Sequence, residues 1–402
     1  MYMRHCRCAN CFVPPQILKK LAESKNPDLR RLAVNSLAQS ERLRGQRVAR
    51  SLLAGAIGSA GDGRRSVFDC EGIENLNGAR RVRGEGQADV ADASVNRAFE
   101  GLGLTRDFYA SVFGRDSIDD NGMRLNAYVH YGDRYMNAFW DGQQMVFGDG
   151  DGEMFDDFTK SLDVVAHELT HAVTEFSAGL IYHNQPGALN ESMSDVFGVM
   201  VKQWKLKQTA EKADWLIGAD IFTPGTGFDA LRSLKAPGEA YDHPEYGRDP
   251  QPAHMNKYVR LRDISSEDWG GVHINSGIPN HAFYLAATAI GGYAWDVAGQ
   301  IWYQALLASS PTTDFQAFAD TTYEKAGSFG QVEQEAVGEA WRMVGIRVAR
   351  SVSSRRVPRR ALSSAPGSVA TNDMADLFDQ VDGLSKQVAA LAEILRPQKG
   401  GR

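Results

Sequence analysis

The stretch "SLDVVAHELTHAVTEF" (residues 161–176) places two histidines and a glutamate in an otherwise apolar run. His167 and His171 are four residues apart, so on an α-helix both imidazoles leave the same face and can hold one metal ion. Glu168 lies beside them and can reach a water on that ion without being a ligand itself. The stretch therefore predicts a helix that carries a metal site.

A third protein ligand is expected, because catalytic zinc takes three protein ligands and leaves one position open. The stretch "NESMSDVFG" (residues 190–198) follows, and helical spacing puts Glu191 and Asp195 on one face. Glu191 can complete the ligand set, while Asp195 or Asn190 can accept an N–H from a ligating histidine. Alone, this acidic pair is typical of solvated helix surface. After H-E-x-x-H it indicates a function.

Further motifs accompany these two: "NAFWDGQQMVFGDGDG" (137–152), "GLIYHNQPGALNESMSDVFG" (179–198) and "GGVHINSGIPNHAFY" (270–284). Together, and in this order, they resemble the thermolysin family of zinc metallopeptidases from about Val67 to Ile346. The resemblance implies an α+β, two-lobed thermolysin-like (zincin) fold, with a β-rich N-terminal lobe, an α-helical C-terminal lobe and the active-site helix between them. It also implies a zinc-dependent neutral endopeptidase with one catalytic Zn²⁺ and protein or peptide substrates.

The family pattern assigns catalytic roles to matched positions. The zinc ligands would be His167, His171 and Glu191. Glu168 would be the general base that takes a proton from the zinc-activated water and passes it to the leaving amine. Tyr182 and His273 would hydrogen-bond the oxyanion of the tetrahedral intermediate, and Asp268 would orient His273.

The residues that would hold the substrate come from the same motifs. Asn137, the backbone of Ala138, and Trp140 resemble an edge that binds substrate as an added strand. Arg232 in "DALRSL" resembles the arginine that grips the carbonyl just past the scissile bond. Apolar side chains would line the pocket for the residue after the cut: Phe155, Phe158, Val164, Ile217 and Leu231. Such a pocket predicts cleavage on the amino side of bulky hydrophobic residues, with broad selectivity.

The double calcium site of the family is expected to be absent. Matching positions hold two carboxylates and three residues that cannot supply one: Asp163, Asp214, Lys202, Leu216 and Ala219. Calcium prefers six to eight oxygen ligands, whereas an ammonium group cannot ligate. Lys202 is therefore predicted to replace calcium and to pair with Asp163. A weaker single calcium site near Thr223 and Asp229 stays an alternative.

The N-terminal region resembles a narrower group, the protealysin-type subgroup with a short propeptide. The resemblance lies in "FVPPQIL" (residues 12–18), which contains a Pro-Pro pair suited to a helix start. It implies that residues 1–60, here called the leader, form an inhibitory propeptide. Its removal is expected within residues 45–66, which are rich in glycine and arginine.

Three of the four cysteines stand close together in the leader, at Cys6, Cys8 and Cys11. One hypothesis makes them, with His5, an independent zinc module that binds a partner. A second lets one of their thiolates occupy the open position of the catalytic zinc. A third treats the cysteines as incidental and assigns the blocking to apolar contacts of residues 12–18.

The rest of the chain is divided by composition. The β-rich lobe is expected at 61–158 and the helical lobe at 159–346. Helices are predicted at 159–177, 188–206, 276–290, 295–308 and 331–344. Residues 347–402 combine a basic linker with a heptad-spaced apolar seam at 374–395. The seam is interpreted either as a surface for self-association or as amphipathicity that arises by chance. The linker is interpreted either as a segment that binds an anionic partner or as a solvated spacer.

Composition narrows the class of protein. The 402 residues carry a net charge of −6, so no nucleic-acid partner is expected. No apolar run approaches the roughly 20 residues of a membrane-spanning helix, and the N-terminus lacks a secretory apolar core. Cytoplasmic location as synthesised is the expectation, with non-classical export left open. The alternative is that the chain is a catalytically weak or inactive member of the family that acts as a binding module. The observation against this alternative is that every expected catalytic position is filled.

Overall fold

The computed structural model describes residues 10–53, 64–244 and 246–348, with side chains from residue 11 onwards except those of 44–53. The strands are β1 (Asn10–Cys11), β2 (Arg65–Asp69), β3 (Arg80–Gly84), β4 (Leu125–Val129), β5 (Ala138–Trp140), β6 (Met145–Phe147), β7 (Leu216–Ile217), β8 (Arg232–Ser233), β9 (Asp242–His243) and β10 (Gly247–Arg248). The helices are α1 (Pro15–Leu21), α2 (Pro27–Leu53), α3 (Ala93–Phe113), α4 (Leu162–Glu175), α5 (Asn184–Leu206), α6 (Asp268–Asn275), α7 (Gly277–Ile290), α8 (Val297–Ala308), α9 (Phe315–Ala326) and α10 (Gln331–Met343).

A six-stranded mixed sheet forms the first half, in the order β1-β5-β6-β4-β2-β3. Burial alternates along β4, because successive side chains of a strand point to opposite faces of the sheet. Leu125, Ala127 and Val129 are buried on one face, and the residues between them are half-buried. The leader contributes β1, which pairs antiparallel with β5 and sets Asn10 opposite Trp140. Part of the leader is therefore a strand at one edge of the sheet.

Helix α4 lies at the centre of the molecule, and all residues from Asp163 to Glu175 are buried. Two glycines allow its neighbours to approach closely. A Cβ at Gly101 of α3 would lie 2.9 Å from a methyl of Val165, and one at Gly198 of α5 would lie 2.8 Å from the Asp163 carbonyl oxygen. Strands in the first half and helices after α4 confirm the predicted α+β fold class.

The predicted helices agree with α4, α5, α7, α8 and α10 within a few residues, whereas α9 was not predicted. Its sequence "FQAFADTTYEKA" has adjacent threonines, which are poor helix formers, but Phe315, Phe318 and Thr322 are buried on one face. Packing of that face outweighs propensity. The apolar seam 374–395 lies outside the described residues. Across the described part of the chain, no helix is long and apolar enough to cross a membrane.

Candidate active site

Three buried side chains converge between α4 and α5. The Nε2 atoms of His167 and His171 are 3.0 Å apart, and the two Glu191 carboxylate oxygens lie 3.5 Å from one Nε2 each. All three ligand atoms fall within 4.8 Å of one another. Glu191 Oε2 is buried and, among the described residues, accepts no hydrogen bond. Two imidazole nitrogens and one carboxylate are the donor set of a catalytic zinc site, so these residues fit that ion.

The second nitrogen of each histidine is held by a side chain of α5. His167 Nδ1 donates to Asp195 Oδ1 at 2.8 Å, and His171 Nδ1 donates to Asn190 Oδ1 at 2.8 Å. Both bonds leave Nε2 directed at the ligand cluster. Burial alone would lower the pKa of His167, but the Asp195 and Glu191 carboxylates outweigh it and raise that pKa to about 9. The site is therefore strongly anionic and suited to a cation.

Glu168, one residue past His167, points toward strand β5. Its Oε2 accepts a hydrogen bond from the backbone N–H of Trp140 at 2.9 Å. Its Oε1 is buried without a hydrogen-bond partner among the described residues. Burial raises the pKa of Glu168 to about 8. One oxygen is thus fixed by backbone and the other can exchange a proton with a reacting group.

Tyr182, His273 and Asp268 form a second cluster beside the ligands. The Tyr182 hydroxyl lies 3.1 Å from His273 Nε2 and also donates to Glu191. His273 Nδ1 donates to Asp268 Oδ1 at 2.5 Å, and its backbone N–H donates to Asp268 Oδ2 at 2.9 Å. Burial lowers the pKa of His273, but the charges of Asp268 and Glu191 outweigh burial and raise it. His273 Nε2 lies 3.0 Å from the Cys11 carbonyl oxygen, which can only accept, so this nitrogen acts as a hydrogen-bond donor.

A left-handed run of backbone brings Asp268 next to His273. Residues Asp268, Trp269, Gly270 and Gly271 have φ values of 57°, 50°, 85° and 79°. At Gly270 a Cβ would also lie 2.3 Å from Asn184 Oδ1. Both the positive φ and the lack of space therefore favour glycine at this position. The run reverses the chain within one turn, which allows Asp268 to bond both the backbone and the ring of a residue five positions later.

The leader occupies the edge predicted for substrate. The Phe12 N–H donates to the Ala138 carbonyl at 3.0 Å, and the Val13 N–H donates to Asn137 Oδ1 at 2.8 Å. Arg232 Nη1 donates to the Phe12 carbonyl at 3.4 Å. The structure therefore brings three of the predicted contact residues, Asn137, Ala138 and Arg232, together around one extended segment.

The Phe12 side chain is fully buried next to the metal ligands. Its ring meets the His167 ring edge-on at 5.2 Å, and the Arg232 guanidinium lies 4.7 Å from its centre. The predicted pocket residues are all buried and belong to the main hydrophobic core, which also contains Phe12: Phe155, Phe158, Val164, Ile217 and Leu231. A bulky apolar side chain fills this position.

Two supporting residues were missed by the sequence analysis. Asn280 Nδ2 donates to Asp195 Oδ2 at 2.8 Å, and Gln251 Nε2 donates to the His273 carbonyl at 2.8 Å. Asn280 is a buried amide in the apolar helix α7. A polar residue in such a helix indicates a buried hydrogen-bond partner, so the sequence could have pointed to it. Gln251 gives none, because it lies in a loop and its role depends on tertiary contact.

Lys202, which is predicted to replace calcium, pairs with two carboxylates. Its ammonium is 3.0 Å from Asp163 Oδ2 and 3.2 Å from Asp214 Oδ1, and it donates to the Leu216 carbonyl at 2.7 Å. At the second suggested site, the Thr223 hydroxyl donates to a backbone carbonyl, and Asp229 is exposed. Within the described chain, the one cluster of three His, Cys, Asp or Glu side chains that could hold a metal is the His167 cluster.

The Cys11 side chain faces away from the ligand cluster. Because strand residues alternate, Phe12 points at His167, whereas Cys11 is buried with Tyr131, Tyr135 and Phe139. The other two leader cysteines, Cys6 and Cys8, lie outside the described residues.

Comparison with known proteins agrees with this geometry. Residues 77–175 match the family model of the thermolysin metallopeptidase catalytic domain, and residues 178–346 match that of its alpha-helical domain. An extracellular metalloprotease of Pectobacterium carotovorum is 48% identical over 339 residues, covering 84% of this chain and 96% of the relative. Protease PrtS of a Photorhabdus species is 48% identical, covering 71% of this chain and 76% of the relative. The solved precursor of protealysin, a metalloproteinase from Serratia proteamaculans, is 47% identical with a TM-score of 0.76, covering 84% of this chain and all of that one.

Proposed function

Since the chain belongs to the thermolysin family of metallopeptidases and is a metalloendopeptidase, we propose that it is made as a zymogen that, once active, cuts peptides on the amino side of bulky hydrophobic residues. The observation that carries this proposal is the seating of Phe12. An apolar side chain fills the pocket beside His167 while its own backbone bonds Ala138 and Arg232. A substrate residue of the same chemistry would make the same contacts.

Each catalytic side chain has a distinct part in the proposed reaction. Zinc, when bound by His167, His171 and Glu191, supplies a Lewis acid that activates water and polarises the scissile carbonyl. Glu168 takes a proton from the attacking water through Oε1 and returns it to the leaving nitrogen.

The hydroxyl of Tyr182 and the Nε2–H of His273 donate to the oxygen that gains negative charge, and Asp268 orients that imidazole and favours its protonated form. Arg232 fixes the carbonyl after the cut. Together these groups stabilise the charge that develops on the substrate.

The zymogen part of the proposal is supported by the burial of the leader. Between residues 11 and 43 the buried side chains are apolar, with a few hydroxyl and amide groups among them: Cys11, Phe12, Val13, Pro15, Ile17, Leu18, Leu21, Ser24, Leu29, Leu32, Ala33, Val34, Ser36, Gln39, Ser40 and Leu43. A protein substrate cannot add to β5 while β1 is paired with it. Latency would therefore last until the leader leaves the cleft.

Lys202 is proposed as the structural substitute for calcium in this chain. Burial lowers the pKa of the ammonium, but the charges of Asp163 and Asp214 outweigh burial and raise it, so the group stays charged. A fixed cation then neutralises Asp163 in the first turn of α4 without an added ion. The proposal extends to a fold whose stability does not depend on calcium.

The test compares the wild-type full chain with Glu168→Ala and with the isosteric Glu168→Gln. We expect wild type to lose its leader, to cleave casein in a chelator-sensitive way, and to contain one zinc ion per chain by elemental analysis. Both variants should bind the same zinc but lose activity by about 10²- to 10⁴-fold, because the general base is missing. Equal maturation and cleavage in Glu168→Ala would show that the assigned mechanism is wrong and would favour another base.

A further inference from the structure

The leader strand lies in the cleft with the polarity of a substrate. Cleavage before a bulky apolar residue requires that residue in the apolar pocket and the carbonyl on its amino side at the oxyanion donors. Phe12 is in the pocket, and the carbonyl on its amino side, that of Cys11, accepts a hydrogen bond from His273 Nε2 at 3.0 Å. A segment running in the opposite direction would present the carbonyl from the other side of Phe12. The bond at the centre of the site is therefore Cys11–Phe12.

The contacts on both sides of this bond are those of a productive complex. After it, the N–H groups of Phe12 and Val13 and the carbonyl of Phe12 each have a partner in the cleft. Before it, Asn10 pairs with Trp140 in the β1–β5 ladder. The backbone N–H of Trp140 holds Glu168, so the general base lies beside the same stretch of β5. A peptide held this way is positioned for attack at its Cys11 carbonyl.

The pocket around Phe12 selects for a large apolar side chain. Phe12 is 0% exposed, and a Cβ at Gly218 would lie 3.0 Å from the tip of its ring. Gly218 has a φ of 69°, so glycine suits both the backbone and the space there. A carboxylate in place of the ring would lose its hydration without gaining a cation of its own, since Arg232 is already paired with Asp195.

We propose, resting on the function proposed above, that the Cys11–Phe12 peptide bond is itself a substrate of this peptidase and a processing site separate from leader removal. Water adds to the Cys11 carbonyl carbon, and the bond from that carbon to the Phe12 nitrogen breaks. The Cys11 end becomes a carboxylate and the Phe12 nitrogen takes the proton. The released fragment, residues 1–11, carries three of the four cysteines of the chain.

The remainder of the leader stays bound after this cut, because it is held at a distance from the bond. Ser36 Oγ accepts from the Met136 N–H at 3.1 Å, and the hydroxyls of Ser40 and Tyr135 are 2.9 Å apart. Leu43 is buried with Tyr131 and Phe139. The clipped precursor, beginning at Phe12, is thus an intermediate that still covers the cleft.

The experiment measures intact masses of the purified full chain for wild type, Glu168→Ala, Phe12→Leu and Phe12→Asp. Wild type and Phe12→Leu should contain a species beginning at residue 12, and Glu168→Ala should not. Phe12→Asp should clip at least about a hundredfold more slowly, because a charge is buried in the apolar pocket. A cut before residue 12 in Glu168→Ala would assign it to another protease and overturn the proposal.

Two further measurements keep the result independent of how well the variants fold. A synthetic peptide of residues 5–20 and an unrelated peptide containing leucine are given to the activated wild-type enzyme. If the enzyme cuts the unrelated peptide but leaves the Cys11–Phe12 bond of the leader peptide intact, this inference is overturned and the proposed function stands. If the enzyme cuts neither peptide, both are overturned. In the Glu168→Ala chain, hydrogen exchange should show protected amides at Phe12 and Val13, and unprotected amides would refute the register.

Discussion

At the scale of single residues, Asp195 joins two parts of the site. Its carboxylate accepts hydrogen bonds from His167 Nδ1, from the guanidinium of Arg232, and from Asn280. Burial would raise the pKa of Asp195, but the Arg232 charge and the His167 bond outweigh burial and lower it. One buried carboxylate thus orients a metal ligand and the arginine that grips the leader carbonyl, so binding and catalysis share a support.

A second, partly exposed network makes stability depend on pH. His130 Nδ1 bonds Asp149 at 2.8 Å and Nε2 bonds Asp92 at 2.9 Å, and Asp92 also caps α3. The hydrogen bond to Asp149, opposed by burial and helped by Asp92, raises the pKa of His130 from 6.5 to about 9. Because the folded pKa is raised, this stabilisation is complete below the unfolded value and is lost as pH rises through about 9.

We therefore predict that the free energy of unfolding falls between about pH 6.5 and about pH 9, and that His130→Gln removes most of this fall. At neutral pH His130→Gln should cost about 0.5–1 kcal/mol, because it removes the cation between two carboxylates that are themselves partly screened by water. Urea unfolding in a Glu168→Ala background, which avoids self-digestion, measures both. His254→Gln, which changes a half-buried histidine whose Nδ1 lies 2.8 Å from the Asn256 side-chain oxygen, is the control. An unchanged pH profile in His130→Gln would contradict the prediction.

The residues that the sequence predicted best are those whose spacing is set by one helix. His167, Glu168 and His171 follow from the 3.6-residue period, and the cluster with Glu191 is as close as zinc requires. Asn280 meets Asp195 across 85 residues of chain, and no local period encodes such a contact. The substrate-like register of Cys11 and Phe12 was also beyond the sequence, which suggested only apolar blocking or a thiolate on the metal.

At the scale of elements, the packing of α4 on α5 fixes the site. Gly198 lets the two helix backbones approach, and Glu191 can then reach the histidines of α4. Helix positions were predictable because buried faces repeat along the chain. The left-handed start of α6 was not predictable, because it depends on Gly270 packed against Asn184 and Gly271 packed against Asn275. Helix α9 was not predictable either, because a buried face outweighs its poor propensity.

Lys202 should contribute strongly to the α4–α5 contact. Asp163 is fully buried, so Lys202→Ala would leave its carboxylate without a cation and should cost about 3–5 kcal/mol of unfolding free energy. Lys205→Ala, which removes an exposed lysine one turn later, should cost less than about 0.5 kcal/mol. Thermal unfolding of the Glu168→Ala chain measures both.

The same samples test the calcium proposal. Added calcium or a calcium chelator should leave the melting temperature of the Lys202 chain unchanged, because the ammonium already neutralises Asp163. A rise in melting temperature with calcium would show that another calcium site stabilises this fold, and the loop around Thr223 and Asp229 would be the first place to examine.

At the scale of the whole molecule, the leader extends the catalytic sheet and covers the cleft. Two kinds of contact hold it. Ion pairs at its surface include Asp28 with Arg134 at 2.7 Å, both substantially exposed. Apolar contacts include Leu43, which is 6% exposed and belongs to the cluster of Tyr131, Tyr135 and Phe139. Exposed ion pairs contribute little to stability, whereas a buried leucine contributes about 2–5 kcal/mol relative to alanine.

Burial rather than charge should therefore set how often the leader opens. In the Glu168→Ala chain, we predict that Leu43→Ala speeds hydrogen exchange at the Phe12 and Val13 amides by at least about thirtyfold, the equivalent of about 2 kcal/mol. Asp28→Asn should change it by less than about fivefold, because its partner is hydrated. Amides of α5 report unfolding of the whole chain and should stay slow in both variants, so that faster exchange at Phe12 marks opening of the leader alone. A larger effect from Asp28→Asn than from Leu43→Ala would mean that charge holds the precursor closed, and latency would then weaken with salt.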